Sequence, residues 1–200
     1  MLDVLLCAVM LLPWIVASIV VASTVYLALG RPVFFRQIRR GLRGQEFVLV
    51  KFRTMSVRSG PEGDLRGDQE RRSCVGDYLR NSGLDELPEI WNILRGDMSW
   101  VGPRPLLSHY WERYTERERR RHEVKPGLTG WAQVNVTDRN DWSEKLELDL
   151  WYVENKSVWL DLCILFKTAV VFVKGLVGIE RDRGKPVSEF GTKRRKSLLQ

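Results

Sequence analysis

Cysteine and histidine are scarce in this sequence. Its 200 residues include three widely spaced cysteines, Cys7, Cys74 and Cys163, and two histidines, His109 and His122. A structural zinc site needs closely spaced thiol and imidazole ligands, and no Cys-x-x-Cys pair is present. Disulfide scaffolds also use denser cysteine patterns than this one. The sequence therefore predicts reduced cysteines that pack as small apolar residues, and it argues against zinc-finger and disulfide-scaffold proteins.

Charge is almost absent from the N-terminal segment. Between Leu2 and Leu29 the one charged residue is Asp3, and the rest is dominated by Leu, Val, Ile and Ala. This length permits a membrane span, which needs roughly 20 apolar residues. No basic stretch precedes the run and no convincing cleavage site follows it, so a signal peptide is disfavoured. Pro13 removes one helical hydrogen bond and predicts a kink between two arms that are each too short to span, so a spanning helix and a re-entrant hairpin both stay open.

Basic residues follow the apolar run directly. The whole chain has a formal charge of +7 and a pI near 9.5, which favours an anionic partner such as a lipid surface, a phosphorylated substrate or a nucleic acid. By the positive-inside rule this end of the apolar run is cytoplasmic, but the rule does not decide where Met1 lies. Against the single acid Glu46, the stretch from 31 to 58 contains Arg31, Arg36, Arg39, Arg40, Arg43, Lys51, Arg53 and Arg58.

The remaining pattern predicts a mainly helical α+β protein. Short strands are expected around a turn at Gly41–Gly44, and Ser59–Asp68 is expected to be an exposed loop. Lys167 and Lys174 are seven residues apart and share a helix face, so their segment resembles an interfacial amphipathic helix, with an ordinary core helix as the alternative. The predicted strands are Val33–Phe35 and Glu46–Phe52, and the predicted helices are Leu87–Leu94, Leu106–Arg121, Ser143–Glu154 and Trp159–Ile179.

Two adjacent acids, Asp85 and Glu86, lie where a helix is expected to start. Ser82 and Pro88 around them are typical of a helix N-terminus, so a structural cap alone could explain the acids. The same position would keep Asp85 ionised at the positive end of the helix dipole. An ionised aspartate can act as a nucleophile, so the sequence leaves a structural and a catalytic interpretation open.

Several cations are candidates for binding phosphate. Arg104 lies between Pro103 and Pro105, which fix the direction of the backbone, and a guanidinium held in this way suits bidentate phosphate binding. Isolated surface cations are common, so none of these residues is informative alone. The other candidates are Lys51, Arg80 and Arg139.

Taken in order, these motifs resemble the bacterial sugar transferase family, the monotopic phosphoglycosyl transferases. The resemblance covers nearly the whole chain. It is closest to the small single-domain members, such as the enzyme that initiates bacterial N-linked protein glycosylation. The motifs that carry it are Lys51-Phe52-Arg53-Thr54-Met55, Leu84-Asp85-Glu86-Leu87-Pro88, Gly96-Asp97-Met98-Ser99, Gly102-Pro103-Arg104-Pro105, Pro126-Gly127-Leu128-Thr129-Gly130 and Ala132-Gln133-Val134-Asn135.

The resemblance implies a ping-pong phosphoglycosyl transfer. Asp85 would attack the sugar-bearing phosphate of a UDP-sugar, expel UMP and pass the phospho-sugar to polyprenyl (undecaprenyl) phosphate. Glu86 matches the second acid of the family dyad. Magnesium is the implied metal, with Asp85 as its ligand and manganese as a substitute. The implied phosphate-binding cations are Lys51, Arg80, Arg104 and Arg139. The residues with an implied substrate-binding or supporting role are Gln133, Asn135 and Asp149.

The resemblance also implies a monotopic protein on the cytoplasmic face of the bacterial inner membrane. The expected organisation is a re-entrant helix over residues 1–30, a catalytic domain at the membrane surface over 31–180 and a basic tail over 181–200, with anionic lipids as partners. Leu12 precedes Pro13 where relatives commonly have serine. Binding of nucleic acid would not explain the acidic dyad, and a non-catalytic scaffold would not need it. The sugar, the pathway and any homodimer stay open.

Overall fold

The structure is a computed structural model that describes residues 2–57, 71–138 and 140–176, without the side chains at 2, 4–10, 175 and 176. The mainly helical α+β class predicted from the sequence is confirmed. Helices are α1 (Leu2–Leu29), α2 (Cys74–Ser82), α3 (Glu89–Arg95), α4 (Glu116–Arg119), α5 (Trp131–Asn135), α6 (Trp142–Asn155) and α7 (Val158–Leu176). Strands are β1 (Phe34–Arg40), β2 (Glu46–Phe52), β3 (Ser99–Val101) and β4 (Gly127–Thr129).

The predicted hairpin is present, and its first strand is longer than predicted. β1 and β2 pair antiparallel from Phe34 opposite Phe52 to Arg40 opposite Glu46. A short apolar run after the glycine turn identified β2, whereas the basic residues of β1 hid most of that strand. A second, parallel pair joins β3 to β4 and was not predicted. Three residues are too few for a periodic signal.

Helix α1 packs along the rest of the protein. Val21 and Val25 are buried with Phe52 and Leu79, and the indole Nε1 of Trp14 donates to the Leu87 carbonyl at 2.8 Å. Pro13 lies inside α1 and does not separate two helices. Helix α1 is assigned without interruption from Leu2 to Leu29, and the kink expected at Pro13 stays a prediction.

The N-terminal end of α1 is bonded to β3. Ser99 Oγ donates to the two carboxylate oxygens of Asp3 at 2.9 and 3.0 Å, and the Trp100 amide donates to Oδ1 at 3.1 Å. The indole of Trp100 also donates to the Asp3 carbonyl. Asp3, the one charged residue of the apolar segment, thus joins the N-terminal end of α1 to β3, which begins at Ser99.

The opposite faces of α1 and α7 are apolar and exposed. Leu11–Leu29 is apolar and, with 19 residues, long enough to cross a membrane by length and composition alone. On α7, Ile164 is fully buried, whereas Trp159 and Phe166 are exposed. This two-sided pattern agrees with the amphipathic helix predicted there, and the exposed faces fit membrane association. Other exposed apolar residues are Leu12, Val16, Ile19, Leu27, Val170 and Val173.

The helix predicted over Leu106–Arg121 is wrong as a single element. The chain forms a 3-10 segment over Ser108–Arg113 and then leaves the helical region at Tyr114 (φ −78°, ψ 138°). Thr115 and Glu118 form a reciprocal capping box that starts α4. The Ser59–Asp68 loop, the end of the Trp159–Ile179 helix and the basic tail lie wholly or partly outside the described residues.

Candidate active site

The acidic dyad lies on a short turn between α2 and α3. Gly83 has φ +79° and ends α2, a backbone conformation that side-chain-bearing residues rarely adopt. A 3-10 turn over Leu84–Glu86 then carries Asp85, which is buried, and Glu86, which is partly buried. The predicted cap is therefore wrong in detail: Ser82 is the last residue of α2, and its hydroxyl donates to the carbonyls of the preceding turn.

Glu86 is the centre of a charged network. Its Oε1 accepts from Lys51 Nζ at 2.8 Å and from Arg104 NH2 at 2.5 Å. Burial alone would lower the pKa of Lys51, but the carboxylates of Glu86 and Glu89 raise it above its ordinary value, and Asp85 contributes in the same direction. The structure therefore brings together the dyad and two of the predicted phosphate-binding cations.

Glu89 is a member of this network that the sequence prediction missed. It lies in the first turn of α3, is 2% exposed, and has its Oε1 2.9 Å from Lys51 Nζ. Burial raises the pKa of Glu89 to about 7, while Lys51 opposes the shift. Its place among Leu87, Pro88 and Ile90 was the available signal, because an acid within an apolar stretch tends to be buried with a partner.

The loop that carries Arg104 is held by its backbone. The Arg104 carbonyl accepts from Arg121 NH2 at 2.8 Å, and the Pro105 carbonyl accepts from Arg39 NH1 at 3.3 Å. Gly102 allows the close approach of a neighbouring strand, since a Cβ there would collide with the Lys125 carbonyl. The proline-flanked arginine thus has a fixed backbone, as the sequence predicted.

Asp149 acts on this loop through Arg121. Both side chains are buried, and Asp149 Oδ2 accepts from Arg121 NH2 at 2.6 Å and from Nε at 3.1 Å. The resemblance implies either a substrate-binding or a supporting role for Asp149, and this geometry favours the supporting role. The chain of contacts runs from Asp149 on α6 to Arg121 and on to the backbone of Arg104.

Arg80 bonds to Thr54, and no contact between its side chain and Lys51, Glu86 or Arg104 is seen in the part of the chain that the structure describes. Its Nε donates to Oγ1 of Thr54 at 3.0 Å, and Thr54 lies three residues after Lys51 in the chain. Its NH2 group is buried and has no hydrogen-bond partner in the described part of the chain. A buried guanidinium nitrogen of this kind is suited to donate a hydrogen bond to an anionic ligand.

The other predicted residues are placed elsewhere. Gln133 donates to the Leu128 carbonyl, and Asn135 accepts from Lys167 Nζ at 2.9 Å. Both side chains therefore hold α5 against its neighbours, and no described contact joins them to the dyad. Arg139 lies outside the described residues.

A divalent cation would find oxygen ligands at the dyad. No group of three or more His, Cys, Asp or Glu side chains in ranges 2–57, 71–138 and 140–176 is arranged to hold a metal by itself. The resemblance described above assigns the metal to Asp85, which lies on the same 3-10 turn as Glu86. Magnesium usually binds one or two carboxylates and completes its shell with water and substrate phosphates. The site therefore fits magnesium held jointly by Asp85 and a diphosphate.

Comparison with known proteins identifies the family. Residues 1–175 match the bacterial sugar transferase family. The chain belongs to that family. A sugar transferase of Bacillus subtilis, the uncharacterised EpsL, is 51% identical over 146 residues, which are 73% of this chain and 72% of the relative. The network of Lys51, Glu86 and Arg104 therefore lies within a bacterial sugar transferase.

Two similar proteins carry names that state a reaction. The UDP-glucose:undecaprenyl-phosphate glucose-1-phosphate transferase of Xanthomonas campestris pv. campestris is 42% identical over 70% of this chain. The UDP-N-acetylgalactosamine-undecaprenyl-phosphate N-acetylgalactosaminephosphotransferase of Aeromonas hydrophila is 37% identical over 86% of this chain. This chain spans only 31% and 43% of the length of these two relatives.

Proposed function

We propose that this sugar transferase moves a phospho-sugar from a UDP-sugar to a polyprenyl phosphate such as undecaprenyl phosphate and releases UMP. Membership of the family and the named reactions of its relatives support this transfer. The observation that carries the proposal is that Lys51 and Arg104 meet Glu86 on the short turn that also carries Asp85. Phosphoryl transfer depends mainly on such positioning and charge neutralisation.

The chemical step that fits this site is attack by Asp85. A carboxylate oxygen of Asp85 would form a bond to the sugar-bearing phosphorus, while the bond from that phosphorus to the bridging oxygen breaks and UMP leaves with the electron pair. The resulting acyl phosphate would be attacked by an oxygen of the polyprenyl phosphate, which regenerates the Asp85 carboxylate. This route splits one transfer into two displacements at the same phosphorus.

The cations would bind the phosphate oxygens. Lys51 and Arg104 both contact Oε1 of Glu86, the residue next to Asp85, so an incoming diphosphate would meet two positive charges there. The unpartnered NH2 of Arg80 is a third group suited to the same anion. Magnesium held by Asp85, or manganese in its place, would supply further neutralisation of the phosphate oxygens.

The substrates meet at a membrane surface in this proposal. The lipid acceptor requires a site close to the bilayer, and the exposed apolar faces of α1 and α7 provide the contact. The bond between Asp3 and Ser99 favours a re-entrant arrangement, because it ties the N-terminal end of α1 to the same body that carries the dyad. The protein would therefore lie on the cytoplasmic face of the inner membrane, where the basic residues after α1 contact anionic lipids.

Release of UMP from a panel of UDP-sugars tests the proposed function. The purified full chain in lipid nanodiscs is mixed with undecaprenyl phosphate and one donor at a time, since the sugar is not fixed by the residues described above. We expect UMP release with at least one donor and transfer of that sugar to the lipid. The Glu147→Gln protein, altered at an exposed surface ion pair, should behave as wild type. Absence of UMP release with every donor would contradict the proposal.

A further inference from the structure

Lys51 is held by two carboxylates rather than one. Its Nζ lies 2.8 Å from Glu86 Oε1 and 2.9 Å from Glu89 Oε1. Glu86 also contacts Arg104, whereas the described ion-pair contact of Glu89 is with Lys51. The dyad motif explains Glu86, but it leaves unexplained why a second glutamate is buried on the same ammonium group.

The packing of α3 on β2 keeps Glu89 at this position. Asn92, one turn after Glu89, donates from Nδ2 to the Val48 carbonyl at 2.8 Å and accepts from the Val50 amide at 3.3 Å. These bonds join α3 to the strand immediately before Lys51. The buried side chain of Asn92 therefore fixes the segments that carry Glu89 and Lys51 relative to each other.

The surroundings of Glu89 are charged on several sides. Lys51 on β2 and Glu86 on the 3-10 turn are its nearest charged neighbours, and Arg104 and Arg39 also act on it electrostatically. Burial and Arg104 lower the pKa of Arg39 to about 10, while the Glu89 carboxylate opposes this change. An anionic diphosphate that approaches Lys51 would therefore compete with Glu89 for the same ammonium group.

We propose that Glu89 is a positioning residue that shares Lys51 with Glu86 and sets how readily Lys51 turns to the substrate phosphate. The inference rests on the proposed function and extends it to a residue outside the dyad. When ionised, Glu89 holds Lys51 and repels the donor; when protonated, it leaves Lys51 to Glu86 and the phosphate. Glu89 itself does not touch the reacting atoms in this account.

The expected pH dependence follows from the burial of Glu89. Because burial raises the pKa of Glu89 from 4.5 to about 7, the folded protein opposes its ionisation. The Glu89 contribution to stability is present at low pH and is lost as pH rises from the ordinary value of this group through about 7. Over the same range the hold of Glu89 on Lys51 strengthens, so the KM of the wild type for the UDP-sugar should rise.

The Glu89→Gln substitution removes the negative charge of Glu89 but keeps the shape of its side chain, because the amide has nearly the same size and keeps an acceptor oxygen. We expect its KM for the UDP-sugar to equal that of wild type at pH 6 and to be at least threefold lower at pH 8, with a smaller change in kcat. Glu147→Gln removes an exposed acid on α6 and should follow wild type at both pH values. A KM for Glu89→Gln that rises with pH in parallel with wild type would overturn the proposal.

Thermal unfolding provides a readout that does not need turnover. Between pH 5 and pH 8 the Tm of wild type should fall relative to that of Glu89→Gln, since only wild type loses stability when Glu89 ionises. His122 and other titrating groups are shared by the two proteins and cancel in this difference. Equal pH dependence of the two Tm values would overturn the proposal even if no UDP-sugar were turned over. Absence of turnover in wild type would instead count against the proposed function.

Discussion

Arg121 and Asp149 form a buried ion pair, with 2.6 Å between Arg121 NH2 and Asp149 Oδ2. The same NH2 group donates to the carbonyl of Arg104. Asp149 therefore orients the guanidinium that holds the backbone of a proposed phosphate-binding residue. Breaking a buried pair by removing one partner leaves an uncompensated charge, which typically costs about 3–5 kcal/mol.

Asp149→Asn is expected to lower both stability and turnover. The free energy of unfolding should fall by about 3 kcal/mol, because the Arg121 charge stays buried without its counter-charge. At a temperature where the variant is folded, kcat should fall at least ~10-fold, since small displacements of catalytic groups have large effects on rate. Denaturant unfolding and UMP release measure the two effects.

Glu147→Gln is the matched control for that variant. Glu147 lies on the same helix, but its ion pair with Arg117 is exposed on both sides. Exposed pairs contribute about 0–1 kcal/mol, so stability and turnover should stay close to wild type. An Asp149→Asn protein as stable and active as Glu147→Gln would contradict the positioning role.

Arg104→Lys should reduce kcat about 10²-fold while the protein stays folded. A lysine keeps the positive charge near Glu86 but lacks the planar fork that binds two phosphate oxygens at once. Steady-state UMP release measures the change. Arg95→Lys is the control, because the Arg95 side chain is 64% exposed and its Nε lies 3.8 Å from Asp97. Equal losses in the two variants would contradict a specific role for Arg104.

Removal of divalent metal is expected to stop turnover. Asp85 and Glu86 together with a diphosphate concentrate negative charge that Lys51 and Arg104 only partly neutralise, so a hard cation is needed. UMP release should cease in excess EDTA and return on addition of magnesium or manganese. An unchanged rate in protein with verified negligible metal content would contradict the metal requirement.

The contact of Asp3 with Ser99 predicts the topology of α1. A single cysteine tag fused before residue 1, in a chain whose three native cysteines are replaced by alanine, should be shielded from impermeant thiol reagents in intact cells. Asp3→Leu removes the carboxylate that accepts from Ser99 and Trp100, so labelling from outside should increase. External labelling of the tagged parent would contradict the re-entrant arrangement, and equal shielding of the tagged parent and of Asp3→Leu would contradict the role of the Asp3 contact.

Features encoded by neighbouring residues could be predicted from the sequence. The hairpin follows from the short apolar run in β2 and from the glycine turn, and Gly83 and Pro88 mark the turn that carries the dyad. The end of the helix predicted over Leu106–Arg121 also had a local signal. Thr115 and Glu118 have the spacing of a capping box, which indicates a new helix start inside the run.

Features that depend on contacts between distant segments could not be predicted in this way. Glu86 and Glu89 both contact Lys51 because α3 packs against β2. The role of Asp149 depends on Arg121, which lies next to the loop that carries Arg104. Neither relation follows from spacing along the chain. Helix α1 is another example, since composition identified its apolar character but did not identify the bonds that tie Asp3 to β3.

Mass spectrometry of the protein with donor alone tests the central claim most directly. Wild type incubated with its UDP-sugar and magnesium, without the lipid acceptor, should gain the mass of one phospho-sugar, and peptide mapping should locate it on Asp85. Addition of undecaprenyl phosphate should remove it. Asp85→Asn keeps the shape of the side chain and should gain no mass. Full UMP release by folded Asp85→Asn, or turnover of wild type without any adduct on Asp85, would contradict the account.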